Sequence, residues 1–164
     1  MFEAGQYSGT REERDHAVLS QLRGLIYGES SYVANLANAA ALLRFYLDEI
    51  NWVGFYLFDD HELVLGPFQG LPACIRIPLG KGVCGTSAER RETLRIDDVH
   101  AFPGHIACDA ASMSEIVVPI VKDDRLLGVL DIDSPIKSRF NEADQVFLEQ
   151  FVAVLTEQLP AAIG

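Results

Sequence analysis

The stretch SEIVVPIVKDDRLLGVLDIDS, residues 114 to 134, constrains the fold of this chain more than any other. Two apolar, β-branched runs are joined by the polar pair Asp123-Asp124, the pattern of a hairpin with a tight turn. Pro119 suggests an edge or bulge position in the first run, because proline cannot donate to a ladder. In the second run, side chains alternate between two faces. Val129, Asp131 and Asp133 share one of them, and Leu130 and Ile132 the other. Like charges on one face of a central strand are costly unless they bind a cation, share protons or face solvent. A turn at 123–124 brings Asp131 near residues 115 and 116, so Glu115 joins the two aspartates in one acidic patch. On composition alone that patch reads as the solvated end of a hairpin. What shifts the balance is the irregular loop that ends directly before Glu115.

The rest of the chain supplies partners for this hairpin. REERDHAVLSQLRGLIYG (11–28) reads as an amphipathic helix, with Val18, Leu19, Leu22, Leu25 and Ile26 at helical spacing and Gly28 at its end. SSYVANLANAAALLRFYLD (30–48) starts on a serine cap and reads as a second, Ala-rich helix. The period then changes. NWVGFYLFD (51–59), ELVLGPF (62–68), ACIRIPL (73–79) and TLRID (93–97) have strand composition, with a turn at 59–61 and a short helix or turn at 82–91. NEADQVFLEQFVAVLTEQL (141–159) is an Asn-capped helix with Val146, Phe147, Phe151, Val154 and Leu155 on one face. Clustered strands flanked by helices predict an α+β fold with a mainly antiparallel six-stranded sheet. The terminal helices should pack together on one face. The long loop 98–113 then lies over the other face or at an edge, and a loop of that length in a compact domain is usually functional. The expected layout is one domain over 1–164: helices in 1–48, sheet and active-site loops in 50–134, and a last helix in 141–160.

The chain has 164 residues, enough for one real core, and 49% of them are apolar. No run approaches the roughly 18 apolar residues of a membrane span. MFEAGQYSGTREERD has no basic and no apolar region of a secretory signal, so the cytoplasm is the expected location. The formal charge of −11 repels a phosphate backbone and makes nucleic acid an unfavourable partner. Three cysteines, Cys74, Cys84 and Cys108, are spaced ten and then twenty-four residues apart and match no CxxC pattern. In a reducing compartment they are inert thiols, metal ligands or redox groups.

Each candidate motif has a plainer reading beside it. GKGVCG (80–85) spells GxGxxG after a strand, but the helix behind it has room for only about two turns, too few for a dinucleotide unit. A glycine-rich turn that lets the backbone approach something fits better. Cys84 lies in that turn near a helix start, where the dipole favours a thiolate. Cys74, Cys84, His105 and Cys108 are right in number for zinc, but their spacings are wide, so no metal is assigned and a redox role is preferred. His100 reads as a surface histidine. Trp52 and Tyr56, four apart in the first strand, share a face and serve either as core aromatics or as the apolar wall of a small-molecule pocket.

GPFQGLPAC with GKGVCGTSA, DVHAFPGHIACDAASMSEIVVPI and GVLDIDSPIKSRFNEAD resemble the free methionine-(R)-sulfoxide reductases, single GAF-domain enzymes. The likeness runs from about residue 50 to the end. It implies that Cys108 is the nucleophile, Cys84 the principal resolving thiol and Cys74 an auxiliary one. It also implies a pocket on the sheet face opposite the terminal helices, containing Glu115 as an acid candidate together with Asp131 and Asp133. The Trp52 wall, with Tyr56, would take the methyl-thio tail of free methionine sulfoxide. Cys84 is preferred over Cys74 because its turn is rich in small residues, whereas Cys74 starts a strand. The resemblance implies no bound cofactor, an external thioredoxin-like dithiol as reductant, and a role in oxidative stress; it is compatible with a homodimer. The alternative is a non-catalytic GAF sensor module that binds a small ligand such as a cyclic nucleotide.

Overall fold

The computed structural model describes residues 2–3, 5–106 and 109–163. Helix α1 (Arg11–Ile26) opens with a capping box: the Thr10 side chain accepts from the Glu13 N–H while the Glu13 carboxylate accepts from the Thr10 N–H. Ser31 caps α2 (Tyr32–Tyr46) through a bond from the Ala34 N–H. Strands β1 (Trp52–Phe58), β2 (Glu62–Gln69) and β3 (Arg76–Pro78) follow, then the nine-residue helix α3 (Gly82–Arg90) and the short strand β4 (Leu94–Ile96). A 3₁₀ turn at Val99–Ala101 interrupts the long loop. The hairpin β5 (Ser114–Lys122) and β6 (Arg125–Ser134) leads to α4 (Glu142–Glu157), whose capping box joins Asn141 and Asp144. Among the described residues no helix is long and apolar enough to cross a membrane.

The six strands form one antiparallel sheet in the order β3-β2-β1-β6-β5-β4. Alternation along each strand divides the molecule into two apolar layers. Val53, Phe55, Ile116, Val118, Leu130 and Ile132 face α1, α2 and α4 and form the larger core. Trp52, Tyr56, Val117 and Val129 face the opposite way and pack with Val83, Cys84 and Ala88 of α3. The terminal helices share one face, as expected. Among the described residues β4 pairs only with residues 115–117, so β5 is a free edge where Pro119 falls and the missing N–H costs no ladder bond.

The hairpin departs from the expected register in one respect, and that respect shapes the site. Asp123 and Asp124 both have positive φ, +50° and +60°, as a two-residue type I′ turn demands. Lys122 pairs with Arg125 and Val121 with Leu126, but Ile120 then pairs with Gly128. Leu127 is an extra residue, a β-bulge. Without it Asp131 would oppose Ile116, and Glu115 would face the helices. With it Asp131 opposes Val117 and Asp133 opposes Glu115, so all three acids share one face. Gly128 makes the bulge possible: a Cβ there would lie 2.1 Å from the Tyr56 carbonyl oxygen in β1.

A buried ionic joint ties α1 to α4. Asp144 is almost fully covered and accepts from Arg11 Nη2 at 2.9 Å, from Arg139 Nη1 at 3.3 Å and from its own N-cap, the Asn141 N–H, at 2.8 Å. Removing one partner of such a cluster leaves the others unpaired. Asp144→Ala is therefore expected to lower unfolding stability by about 3 kcal/mol. Urea denaturation tests this, and a loss under about 1 kcal/mol would show that solvent screens the two arginines fully.

Candidate active site

The site is a pocket between the sheet face of β1, β5 and β6 and a cover made of α3, the 70–75 segment and the loop before β5. Its cavity is small, about 30 Å³. One wall is aromatic. Trp52 stacks on Phe68 with ring centroids 5.2 Å apart and lies near-parallel to Tyr56 at 6.0 Å. Its indole N–H donates to the Leu71 carbonyl at 3.1 Å, and Tyr56 Oη donates to the Cys74 carbonyl at 2.9 Å. These two bonds pin the 70–75 segment to the sheet. They also satisfy the only polar atoms of side chains that are 2% exposed.

The opposite wall is acidic. Glu115 and Asp131 are each only 6% exposed, and Asp133 is half-buried beside them. Burial pushes Glu115 well above the usual carboxylate range, and the neighbouring Asp131 and Asp133 push it further. Burial and then Asp131 raise Asp133 in the same way, and burial raises Asp131. No lysine or arginine ion-pairs with any of the three among the described residues. Asp131 Oδ1 is sealed from water and has no hydrogen-bond partner among the described residues. A pocket that aims three carboxylates inward without a cation holds at least one of them as the neutral acid, or awaits a positive group.

Cys84 lies in the first turn of α3. Its Sγ is 3.8 Å from Glu115 Oε1. The sequence-based expectation of a thiolate here is overturned. Burial and the charges of Asp131, Glu115 and Asp133 push this thiol well above its ordinary pKa and outweigh the helix dipole. Cys84 is a free thiol, whereas Cys74 is disulfide-bonded. β3 begins at Arg76, so Cys74 precedes the strand and belongs to the irregular 70–75 segment. Cys108, the expected nucleophile, lies outside the described residues.

A family model described as the GAF domain matches residues 31–159. The free methionine-R-sulfoxide reductase of Escherichia coli K12 is 57% identical over 135 residues, 82% of each chain. The chain belongs to the GAF-domain free methionine-R-sulfoxide reductases. Solved structures of the family overlay closely. That of Neisseria meningitidis in complex with its substrate gives a TM-score of 0.89 at 43% identity, covering 96% of this chain and 95% of the other. The fRMsr of Staphylococcus aureus in its reduced form gives 0.86 at 52% identity, covering 94% and 99%.

Of the residues singled out from sequence, Trp52, Tyr56, Cys84, Glu115, Asp131 and Asp133 all line this pocket. His105 lines it too, its pKa lowered by burial and by nearby His100, which is itself exposed. The four-ligand set weighed for zinc is not what gathers among the described residues: Cys84 meets Glu115 and Asp131 instead of Cys74 and His105. Sequence reasoning passed over Lys81, Asn51 and Ser112. Lys81 is the N-cap of α3 and lines the pocket. Asn51 Nδ2 donates to Asp109 Oδ2 at 2.9 Å and to Ser112 Oγ at 3.1 Å, anchoring the end of the loop beside β1. A polar residue directly before an aromatic strand was the available signal for Asn51.

Proposed function

We propose that this protein reduces free L-methionine (R)-sulfoxide to methionine through thiol chemistry. The observation that carries this reading is the pairing of a stacked aromatic wall with three inward-facing carboxylates in one pocket. The carboxylates of Asp131 and Asp133 hold the substrate's ammonium group. Its carboxylate meets Lys81 and the first turn of α3, whose N–H groups have no side-chain cap. The methyl-thio end lies against Trp52. The same acids disfavour the cyclic-nucleotide reading, because a phosphate would be repelled.

The thiolate of Cys108 attacks the sulfoxide sulfur. Glu115, kept neutral by its burial, gives its proton to the departing oxygen. The hydroxyl passes from the substrate sulfur to the Cys108 sulfur as the transient S–S bond breaks, so methionine leaves and Cys108 is a sulfenic acid. A second thiol attacks that sulfur, water departs, and a disulfide forms. An external thioredoxin-like dithiol then restores both thiols by exchange, in a reducing compartment such as the cytoplasm. For the second thiol we favour Cys74 over Cys84, the reverse of the sequence-based expectation. Cys84 is sealed and held protonated, which slows attack; Cys74 is half-buried in an irregular segment and already takes part in a disulfide. Peptide mapping of the enzyme after one turnover is expected to yield a Cys74–Cys108 link. A dominant Cys84–Cys108 link would restore the opposite roles.

Selectivity tests the substrate. An N-acetylated substrate has no ammonium, so it leaves a buried charge unpaired, a loss of about 1.5–3 kcal/mol or roughly 10- to 150-fold in kcat/KM. Equal kcat/KM for free and N-acetylated methionine sulfoxide would remove the ammonium from this reading.

A further inference from the structure

The proposed cycle leaves one reactive group of the pocket without a task, the thiol of Cys84. One ligand atom each from Cys84, Glu115 and Asp131 lies within 4.8 Å of the other two. They are supplied by α3, β5 and β6, which pack directly on one another, so the triangle is built into the scaffold. Its size suits a small cation. A tetrahedral zinc ion with Zn–S of about 2.3 Å and Zn–O of about 2.0 Å spaces sulfur and oxygen about 3.5 Å apart. The distance from Cys84 Sγ to Glu115 Oε1 is 3.8 Å. Acidic clusters without a metal are common on surfaces. This one differs in being buried and in containing a sulfur. It also presents Asp131 Oδ1, on a side chain 6% exposed, with no hydrogen-bond partner among the described residues.

We propose that Cys84, Glu115 and Asp131 form a binding site for a divalent cation of the zinc class, with its fourth position open to the pocket. On binding, the Cys84 proton and any proton on the carboxylates pass to solvent. The thiolate and two carboxylates then face the ion with three negative charges against two positive. The mixed set of one soft and two hard ligands favours zinc over magnesium or calcium. An ion here occupies the pole assigned above to the substrate's ammonium, so zinc should exclude substrate. That consequence rests on the proposed function; the binding itself does not.

The test uses a Cys74→Ser/Cys108→Ser double variant, in which Cys84 is the only thiol. Calorimetric titration with zinc chloride is expected to give one equivalent per chain. Cobalt(II) should produce a thiolate-to-metal charge-transfer band that zinc abolishes. Adding Cys84→Ser should remove the band and weaken zinc at least about tenfold. Asp131→Asn should weaken zinc comparably while keeping the band, and it serves if the serine variant does not fold. Absence of saturable binding in the double variant, or zinc affinity unchanged without Cys84, overturns the site. With the reduced wild-type protein, zinc should inhibit turnover competitively. Binding at Cys84 without inhibition upholds the metal site and overturns the placement of the ammonium.

Discussion

Cys108→Ser is expected to leave no measurable reduction of free methionine sulfoxide. The nucleophile must be a thiolate, because a serine hydroxyl does not ionise near neutral pH and is a poor attacking group at sulfur. Removal of a nucleophile costs on the order of 10⁶ in kcat in other covalent enzymes. Substrate should still bind, since the carboxylates and the Trp52 wall are untouched, and calorimetry separates that outcome from collapse of the pocket. The companion variant Cys74→Ser, which lacks the favoured resolving thiol, should still release one equivalent of methionine in a single turnover and then stall. Substantial turnover by Cys108→Ser would move the nucleophile to another thiol.

Glu115→Gln is expected to act in opposite directions on activity and stability. A glutamine cannot deliver an acid proton to the leaving oxygen, so kcat should fall by about 10²- to 10⁴-fold. In the wild type, activity should fall as pH rises through the raised pKa of Glu115, and the variant should lose that dependence. Stability runs the other way. The folded protein binds the Glu115 proton more tightly than the unfolded chain, whose carboxyl titrates near 4.5. That contribution is complete below the unfolded value and is lost as pH rises toward the folded one. The amide escapes this loss. A gain of about 1 kcal/mol at neutral pH, or roughly 3 °C in Tm, is the expected size. The difference between variant and wild type should widen from pH 5 to pH 8. A variant that is both fully active and no more stable would show Glu115 to be neither strained nor used.

Why the site concentrates strain is clear from its construction. Three carboxylates on one sheet face oppose each other in the pocket, and the larger core on the other face offsets their cost. The order of elements and the two faces of β1 and β6 were legible in the sequence, because apolar alternation is a local signal. Trp52 with Tyr56, and Asp131 with Asp133, fell on the expected side for that reason. The bulge at Leu127 was not legible. It depends on how closely Gly128 approaches the Tyr56 carbonyl in a strand 72 residues earlier in the chain. Pairing from the 123–124 turn alone gave a register one residue off, and only the bulge places Glu115 with the aspartates. The Cys84 environment was missed for a related cause. A helix start is visible in sequence, but the burial and three acids that overcome it come from β5 and β6. Strand β3 also proved shorter than its composition suggested, which placed Cys74 in an irregular segment instead of a rigid one.

The measurement that bears most directly on this reading is methionine release by the purified, reduced protein. It would be supplied with a dithiol and with separate R and S isomers of free and peptide-bound methionine sulfoxide. Rapid consumption of the free R isomer, with little or none of the other three, is the expected result. No release from the free R isomer by the folded, fully reduced protein, or equal release from the peptide-bound form, would contradict it.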